Sequence, residues 1–194
     1  MHKNRLEAFS DGVLAIIITI MVLELKVPHS ARLEDLIPLC PVILSYVLSF
    51  IYVGIYWNNH HHLFQVVHHV NGRVLWANMH LLFWLSLLPF VTAWSGENQF
   101  AEWPVALYGF VLLMAGFAYY LLTRSLLASH TKDSNLALAL GNDFKGKISL
   151  VIYLAGIPLA FFRPMISMLI YLVVAVIWLV PDTRMERAFS REKT

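Results

Sequence analysis

Apolar runs of membrane-spanning length recur along this sequence and constrain its fold more than any other feature. A helix needs about 20 apolar residues to cross the hydrocarbon core of a bilayer. The chain has 194 residues, of which 59% are hydrophobic and only 13% are charged, whereas a soluble domain carries about 25% charged residues. The surplus of apolar residues lies in the long runs. We therefore expect an all-α integral membrane protein.

Six membrane-spanning helices are expected, in one domain that covers residues 1–194. They are placed at about residues 5–27, 41–65, 73–94, 104–127, 147–162 and 164–180. Pro28 is expected to end the first helix, and Pro89 is expected to kink the third. The connections resemble hairpins, which favours packing of sequential helices as neighbours.

The distribution of basic residues predicts how the chain is oriented in the membrane. If the N-terminus is cytoplasmic, eleven of the fourteen lysines and arginines lie on that side, all but Lys26, Arg32 and Arg163. An excess of basic residues on the cytoplasmic side is what the positive-inside rule describes. We expect a multi-pass protein of the cell membrane with both its N-terminus and its C-terminus in the cytoplasm.

The first helix opens with a polar stretch, residues 5–12, that leads directly into the apolar segment 13–23. Polar side chains such as those of Ser10 and Asp11 are costly to place against lipid. Other parts of the protein are therefore expected to surround this end of the helix, while Arg5 can extend to the cytoplasmic surface. This argument predicts that the first helix is interior.

An apolar stripe continues along the same helix. Ile16, Ile20 and Leu23 share one face at a period of 3.6 residues, and Thr19 lies at its edge. Contact with lipid or with the protein core is the default interpretation of an isolated apolar stripe. The polar cluster at the helix entrance favours an interior position, and periodicity alone does not say whether this face meets a pore.

Three histidines end the second helix at the same membrane level as Ser10 and Asp11. Successive helical residues point about 100° apart, so His60, His61 and His62 cannot bind one metal ion together, and no metal site is expected. One or two of them are expected to reach Ser10 or Asp11 as a buried polar lock. The third helix offers further partners, namely Trp76, Asn78, His80 and Trp84. Because histidine titrates near neutrality, a proton-permeable or pH-gated cation pathway through the histidines and Asp11 is the alternative interpretation.

The common motifs of soluble enzymes are missing. The sequence contains no GxGxxG, no GxxxxGKS/T, no HExxH and no CxxC. No cofactor is expected, and the net charge of +2 reflects loop residues rather than a nucleic-acid surface. A membrane-embedded enzyme with Asp11 and the histidines as acid and base is a further alternative, weakened because no nucleophile converges with them. A non-conducting scaffold, in which the same residues only pack, is another.

The run from Arg5 to Asp11, RLEAFSD, resembles the RxxxFSD signature that opens the first helix of the transmembrane protein 175 family of potassium channels. The six-helix hydropathy and the histidine-rich end of the second helix extend the resemblance over essentially the whole chain. One six-helix unit per chain is similar to the prokaryotic branch, whose members assemble as tetramers. The resemblance implies a potassium-permeable homotetramer in the lipid bilayer, with a central pore lined by the first helix.

The resemblance also implies roles for individual residues. The family's hydrophobic constriction and gate fall on Ile16, Ile20 and Leu23, and its threonine falls on Thr19. Only a modest preference for potassium over sodium is expected, because the carbonyl-lined TVGYG filter is absent from the sequence. The remaining residues are expected to lock the first helix to the second and third. This structural set is Arg5, Phe9, Ser10, Asp11, His60, His61, His62, Asn78 and Trp84.

Overall fold

The computed structural model describes residues 3–28, 30–65, 67, 70–128 and 144–179. Within these residues the chain is helical and contains no strand. The α-helices are α1 (Lys3–Leu23), α2 (Cys40–Gln65), α3 (Gly72–Ser86), α4 (Leu88–Glu97), α5 (Glu102–Leu127), α6 (Phe144–Ala160) and α7 (Pro164–Leu179), and a 3-10 helix at Leu33–Leu39 leads into α2.

Four helical segments are long and apolar enough to cross a membrane by length and composition. They are Lys3–Leu23, Leu33–Gln65, Gly72–Glu97 and Glu102–Leu127. The segment α7 is apolar but shorter, and the chain beyond residue 179, which includes the predicted cytoplasmic C-terminus, lies outside the described residues. The fold is thus that of an all-α integral membrane protein, as predicted.

The third predicted span forms as two helices with a break at Leu87. Pro89 lies in the first turn of α4 and has no backbone N–H to donate to the preceding turn. The Leu87 N–H instead bonds the carbonyl of Trp84, three residues earlier, at 3.2 Å. Because Leu87 keeps a right-handed helical conformation, with φ of −84° and ψ of −11°, α3 and α4 continue as one span.

Helix α1 ends at Leu23, four residues before the predicted boundary, and it is tied at both ends. At its start, Lys3 Nζ donates to the carbonyls of Phe64 and Gln65, at 2.7 and 3.1 Å, at the C-terminus of α2. Beyond its end the chain turns so that Lys26 Nζ pairs with Glu97 Oε1 at 2.5 Å, at the end of α4. The hydrogen bond and the negative charge of Glu97 raise the pKa of Lys26 above its usual value.

Glycines let an aromatic side chain into the contact between α5, α6 and α7. The ring of Tyr171 is fully buried and lies against Gly109 of α5 and Gly156 of α6. A Cβ atom added to Gly109 would overlap the Tyr171 hydroxyl, and one added to Gly156 would lie 2.7 Å from the ring. Tyr52 Oη donates to the Tyr171 carbonyl at 2.6 Å, so α2 joins the same contact.

Replacing Gly109 with alanine should therefore destabilise the protein. The ring of Tyr171 is held on its other side by Gly156 and has no space to move into. We expect a loss of about 1–3 kcal/mol, the usual cost of overpacking, measured as a lower apparent melting temperature in detergent.

Gly54→Ala is the matched control, since a Cβ at Gly54, also within a helix, meets nothing within 4 Å. That substitution should leave the melting temperature unchanged or raise it, because alanine favours a helix over glycine by up to about 1 kcal/mol. Equal melting temperatures for the two variants would contradict the close packing of Tyr171.

Candidate ion pathway

A buried polar lock joins α1, α2 and α3 at one end of the bundle. Asn78 Nδ2 donates to Ser10 Oγ at 2.9 Å, and Asn78 Oδ1 lies 2.8 Å from His60 Nε2. All three side chains are buried. Ser10 Oγ in turn donates to the carbonyl of Leu6 at 2.8 Å. One asparagine thus connects the signature serine of α1 with a single histidine of α2.

The geometry of the lock determines the tautomer of His60. An amide oxygen can only accept a hydrogen bond, so His60 Nε2 carries the hydrogen that points to Asn78 Oδ1. The imidazole also packs on Phe64, with ring centroids 4.6 Å apart. This arrangement holds His60 between an apolar ring and an acceptor.

Asp11 lies beside the lock and has a different partner. Trp57 Nε1 donates to Asp11 Oδ1 at 3.1 Å, and both side chains are exposed in the single chain. The indole of Trp57 stacks on His61, whose Nε2 lies 2.7 Å from Gln65 Nε2. Trp57 was not among the predicted partners. Its position one helical turn before the histidines is the sequence signal that would have found it.

Other predicted members of the structural set lie apart from the buried lock. Trp84 Nε1 donates to His80 Nε2 at 2.9 Å, within α3. Arg5 and Phe9 are exposed, and His62, one residue after His61 on α2, is partly buried. Their roles in the lock stay predictions, whereas Ser10, His60 and Asn78 are in direct contact.

The two faces of α1 differ sharply in their surroundings. Leu14, Ile17 and Met21 are buried against the bundle. The stripe predicted from periodicity lies on the outside of the chain, with exposed fractions of 60% for Ile16, 42% for Ile20 and 76% for Leu23. The described part of the chain leaves this face largely uncovered at Ile16 and Leu23 and about half covered at Ile20.

Thr19 is exposed on the same side of α1. Its Oγ1 donates to the carbonyl of Ala15 at 2.9 Å. The hydroxyl hydrogen is therefore directed back into the helix. The oxygen lone pairs stay available to a cation or a water molecule on the exposed face.

A second buried network, made of hydroxyl groups, joins α2, α4 and α5 and contacts the buried face of α1. Ser49 Oγ lies 2.6 Å from Thr92 Oγ1 and 2.8 Å from Tyr108 Oη, and Ser45 Oγ donates to the Thr92 carbonyl at 3.1 Å. Thr92 Oγ1 also contacts Met21 Sδ at 3.9 Å. Isolated hydroxyl residues in apolar spans are the only sequence signal for this network, and they do not identify their partners.

Metal binding has no support in the described part of the chain. No group of three or more histidine, cysteine, aspartate or glutamate side chains is placed there so as to hold a metal ion. The described residues form a helical membrane protein whose first helix is locked on one face and exposed on the other.

Comparison with known proteins identifies the family. A family model described as the endosomal/lysosomal potassium channel TMEM175 matches residues 5–89. A potassium channel of Chryseobacterium sp. (strain P1-3) is 55% identical over 190 residues, which cover 98% of this chain and 99% of that protein. The endosomal/lysosomal proton channel TMEM175 of Gallus gallus is 34% identical over 114 residues, 53% of this chain and 22% of that protein. The chain belongs to the TMEM175 family, as its RxxxFSD signature predicted.

A solved structure shares the fold. The crystal structure of a lysosomal potassium-selective channel TMEM175 homologue from Chamaesiphon minutus aligns with a TM-score of 0.80 and 28% identity. The alignment covers 93% of this chain and 97% of that chain. Family membership agrees with the prediction that the protein is an ion channel rather than an enzyme.

Replacing Asn78 with leucine should weaken the lock. Leucine is close to asparagine in size but can neither donate to Ser10 nor accept from His60. His60 Nε2 therefore loses its acceptor, and Ser10 Oγ keeps only its bond to the Leu6 carbonyl. We expect a loss of about 1–3 kcal/mol for each buried group left unsatisfied, seen as a lower apparent melting temperature. Asn58→Leu is the control, because Asn58 is exposed on α2 and surface substitutions usually change stability by less than about 0.5 kcal/mol. Equal melting temperatures for the Asn78→Leu and Asn58→Leu variants would contradict the role of the lock in holding α1.

Proposed function

We propose that this protein is a potassium-permeable channel in which α1 lines a central pore of a homotetramer. The observation that carries the proposal is the bare apolar face of α1. The helix is locked by Ser10 and buried through Leu14, Ile17 and Met21, yet it presents Ile16, Ile20 and Leu23 outward. Relatives named as potassium channels support the choice of ion. The mass of the purified oligomer tests the tetramer.

The proposed orientation places both termini in the cytoplasm of a multi-pass cell-membrane protein. It rests on the excess of lysine and arginine on one side of the predicted spans. The polar lock then lies at the cytoplasmic end of the pore, and the Lys26–Glu97 pair lies at the outer mouth. Labelling of cysteines introduced near each terminus, in sealed vesicles, tests the orientation.

The proposed selectivity depends on dehydration at an apolar constriction. The sequence lacks the TVGYG loop whose carbonyls replace water around potassium in other channels. Potassium holds its water less tightly than sodium. Partial dehydration at a narrow ring of Ile16, Ile20 and Leu23 side chains therefore costs potassium less free energy than it costs sodium. The Thr19 oxygen can replace part of the lost water. This mechanism gives a modest preference for potassium, with rubidium and caesium also passing.

The role of Ile20 and Leu23 can be tested by making the constriction polar. Ile20→Asn or Leu23→Asn should increase single-channel conductance, because an amide side chain lowers the cost of wetting an apolar constriction. Leu169→Asn is the control, since Leu169 is also exposed and apolar but lies on α7. Unchanged conductance in the α1 variants, or an equal increase in the control, would contradict the proposal that Ile20 and Leu23 line the pore.

Selectivity is tested by reversal potentials under bi-ionic potassium and sodium in a reconstituted bilayer. The wild-type protein should prefer potassium modestly. Thr19→Val, which keeps the shape but removes the hydroxyl oxygen, should reduce that preference while leaving a conducting pore. Thr123→Val is the control on α5, where the hydroxyl donates to the Tyr120 carbonyl of its own helix at 2.7 Å. Equal permeation of sodium and potassium by the wild type would contradict the proposed dehydration mechanism.

A second candidate function is proton permeation or pH gating. It is favoured by the Gallus gallus relative, which is named as a proton channel. It is also favoured by the exposed group of Asp11, Trp57 and His61 at the entrance of α1. Reversal potentials measured across a pH gradient at equal potassium concentrations separate the two candidates. A potential that follows the proton gradient selects proton permeation.

A further inference from the structure

A small pocket and an adjoining groove lie on the side of the bundle away from α1. The pocket, of about 40 Å³, is enclosed by α2, α5, α6 and α7. The groove, of about 260 Å³, lies between α5 and α6. Leu150 lines both, so the pocket and the groove adjoin at this residue. Neither space involves the bare face of α1 or the polar lock.

The pocket contains hydrogen-bonding atoms that the described part of the chain leaves without partners. Tyr56 lines the pocket close to Gly116, and its hydroxyl makes no hydrogen bond to any described residue. Asn59 donates its amide N–H to the Ile55 carbonyl at 2.8 Å, which leaves its side-chain oxygen as an open acceptor. Tyr56 and Asn59 thus bring one donor and one acceptor to the lining of a space that holds about three water-sized groups.

The groove has the opposite chemistry. All of its lining residues are apolar, and they include the strongly exposed Val151 and Leu154. The complete lining is Leu113, Met114, Phe117, Leu150, Val151 and Leu154. In a membrane-spanning bundle such a surface faces lipid chains, so its occupant is a hydrocarbon chain.

Charge restricts the head group that the pocket can accept. Among the described residues, no acidic, basic or histidine side chain lines the pocket or the groove. An ionised carboxylate or phosphate would lose water there without gaining a counter-charge. A neutral hydroxyl can donate to Asn59 and accept from Tyr56, and it therefore fits.

The order of the two spaces along the bundle matches the way in which a lipid lies in a membrane. Asn59 and Ser149, which line the pocket, lie at the end of the bundle that carries His60. The groove residues Leu113 and Leu154 lie further from that end, toward the bilayer centre. A bound amphiphile therefore has its head near one membrane surface and its chain directed inward.

From these observations we propose that the pocket and groove bind a neutral amphiphile with a hydroxyl head. The hydroxyl is hydrogen-bonded to Tyr56 and Asn59, and the hydrocarbon chain lies between α5 and α6.

The test uses the protein in phosphatidylcholine vesicles and a long-chain alkanol that carries a photoreactive diazirine on its chain. We expect cross-links to concentrate on the groove residues of α5 and α6, as mapped by mass spectrometry of peptides. Unlabelled 1-decanol should compete with the probe, and decanoate, which has the same chain length but an ionised head, should compete poorly.

Tyr56→Phe removes one hydroxyl without changing the shape of the pocket, and it should weaken competition by 1-decanol about fivefold, the usual effect of one lost hydrogen bond. Tyr46→Phe is the control, because Tyr46 is also partly buried on α2 and also makes no hydrogen bond to a described residue. The proposal is overturned by cross-links spread evenly over the lipid-facing helices, by equal competition from decanoate, or by identical results for the two variants.

Discussion

Asn78 is the side chain on which the placement of α1 depends. Its amide donates to Ser10 on α1 and accepts from His60 on α2, so one group of α3 satisfies polar atoms on both neighbours. In a low-dielectric interior an unpaired polar group costs more than a formed hydrogen bond contributes. Rotating α1 by one residue position would turn Ser10 through about 100° and break this contact. The lock therefore selects one rotation of α1 about its own axis.

The rotation that the lock selects decides which face of α1 is bare. With Ser10 inward, Leu14, Ile17 and Met21 follow on the buried side, and the Ile16 to Leu23 stripe faces outward. Lys3 and Lys26 hold the two ends of α1 by different interactions. Lys3 satisfies carbonyls at the C-terminus of α2, where a positive charge is favourable. The exposed Lys26–Glu97 pair joins the chain after α1 to the end of α4 but contributes little stability, as is usual for surface ion pairs.

Hydropathy was sufficient to predict an all-α membrane protein, and Pro89 marked the place where the third span breaks. The end of α1 at Leu23 was not predicted. Beyond it, the Leu25 N–H bonds the Val22 carbonyl, three residues earlier, so the α-helical pattern stops there. Hydropathy is nearly insensitive to such a change in the last turn of a helix.

The choice among the three histidines was also undetermined by the sequence. All three occupy successive positions of one helix, and only the packing of α2 against its neighbours turns His60 inward beside Phe64. The link from Ser49 through Thr92 to Met21 was missed for the same reason. A hydroxyl residue in an apolar span shows that a partner is needed, whereas the helix that supplies the partner is a property of the tertiary structure. Local sequence patterns were sufficient to find the RxxxFSD signature. They did not show which residues of different spans contact each other.

If α1 lines the pore, as proposed, the hydrogen bonds within the helix limit how that pore can select ions. An α-helix uses its backbone carbonyls internally, so α1 cannot offer the ring of carbonyl oxygens that a filter loop offers. Along the stripe of Ile16, Thr19, Ile20 and Leu23, the only side-chain oxygen belongs to Thr19, and its hydrogen is already donated to Ala15. Each subunit can therefore return one oxygen to an ion that has lost several waters. Such partial compensation favours the ion that is easier to dehydrate.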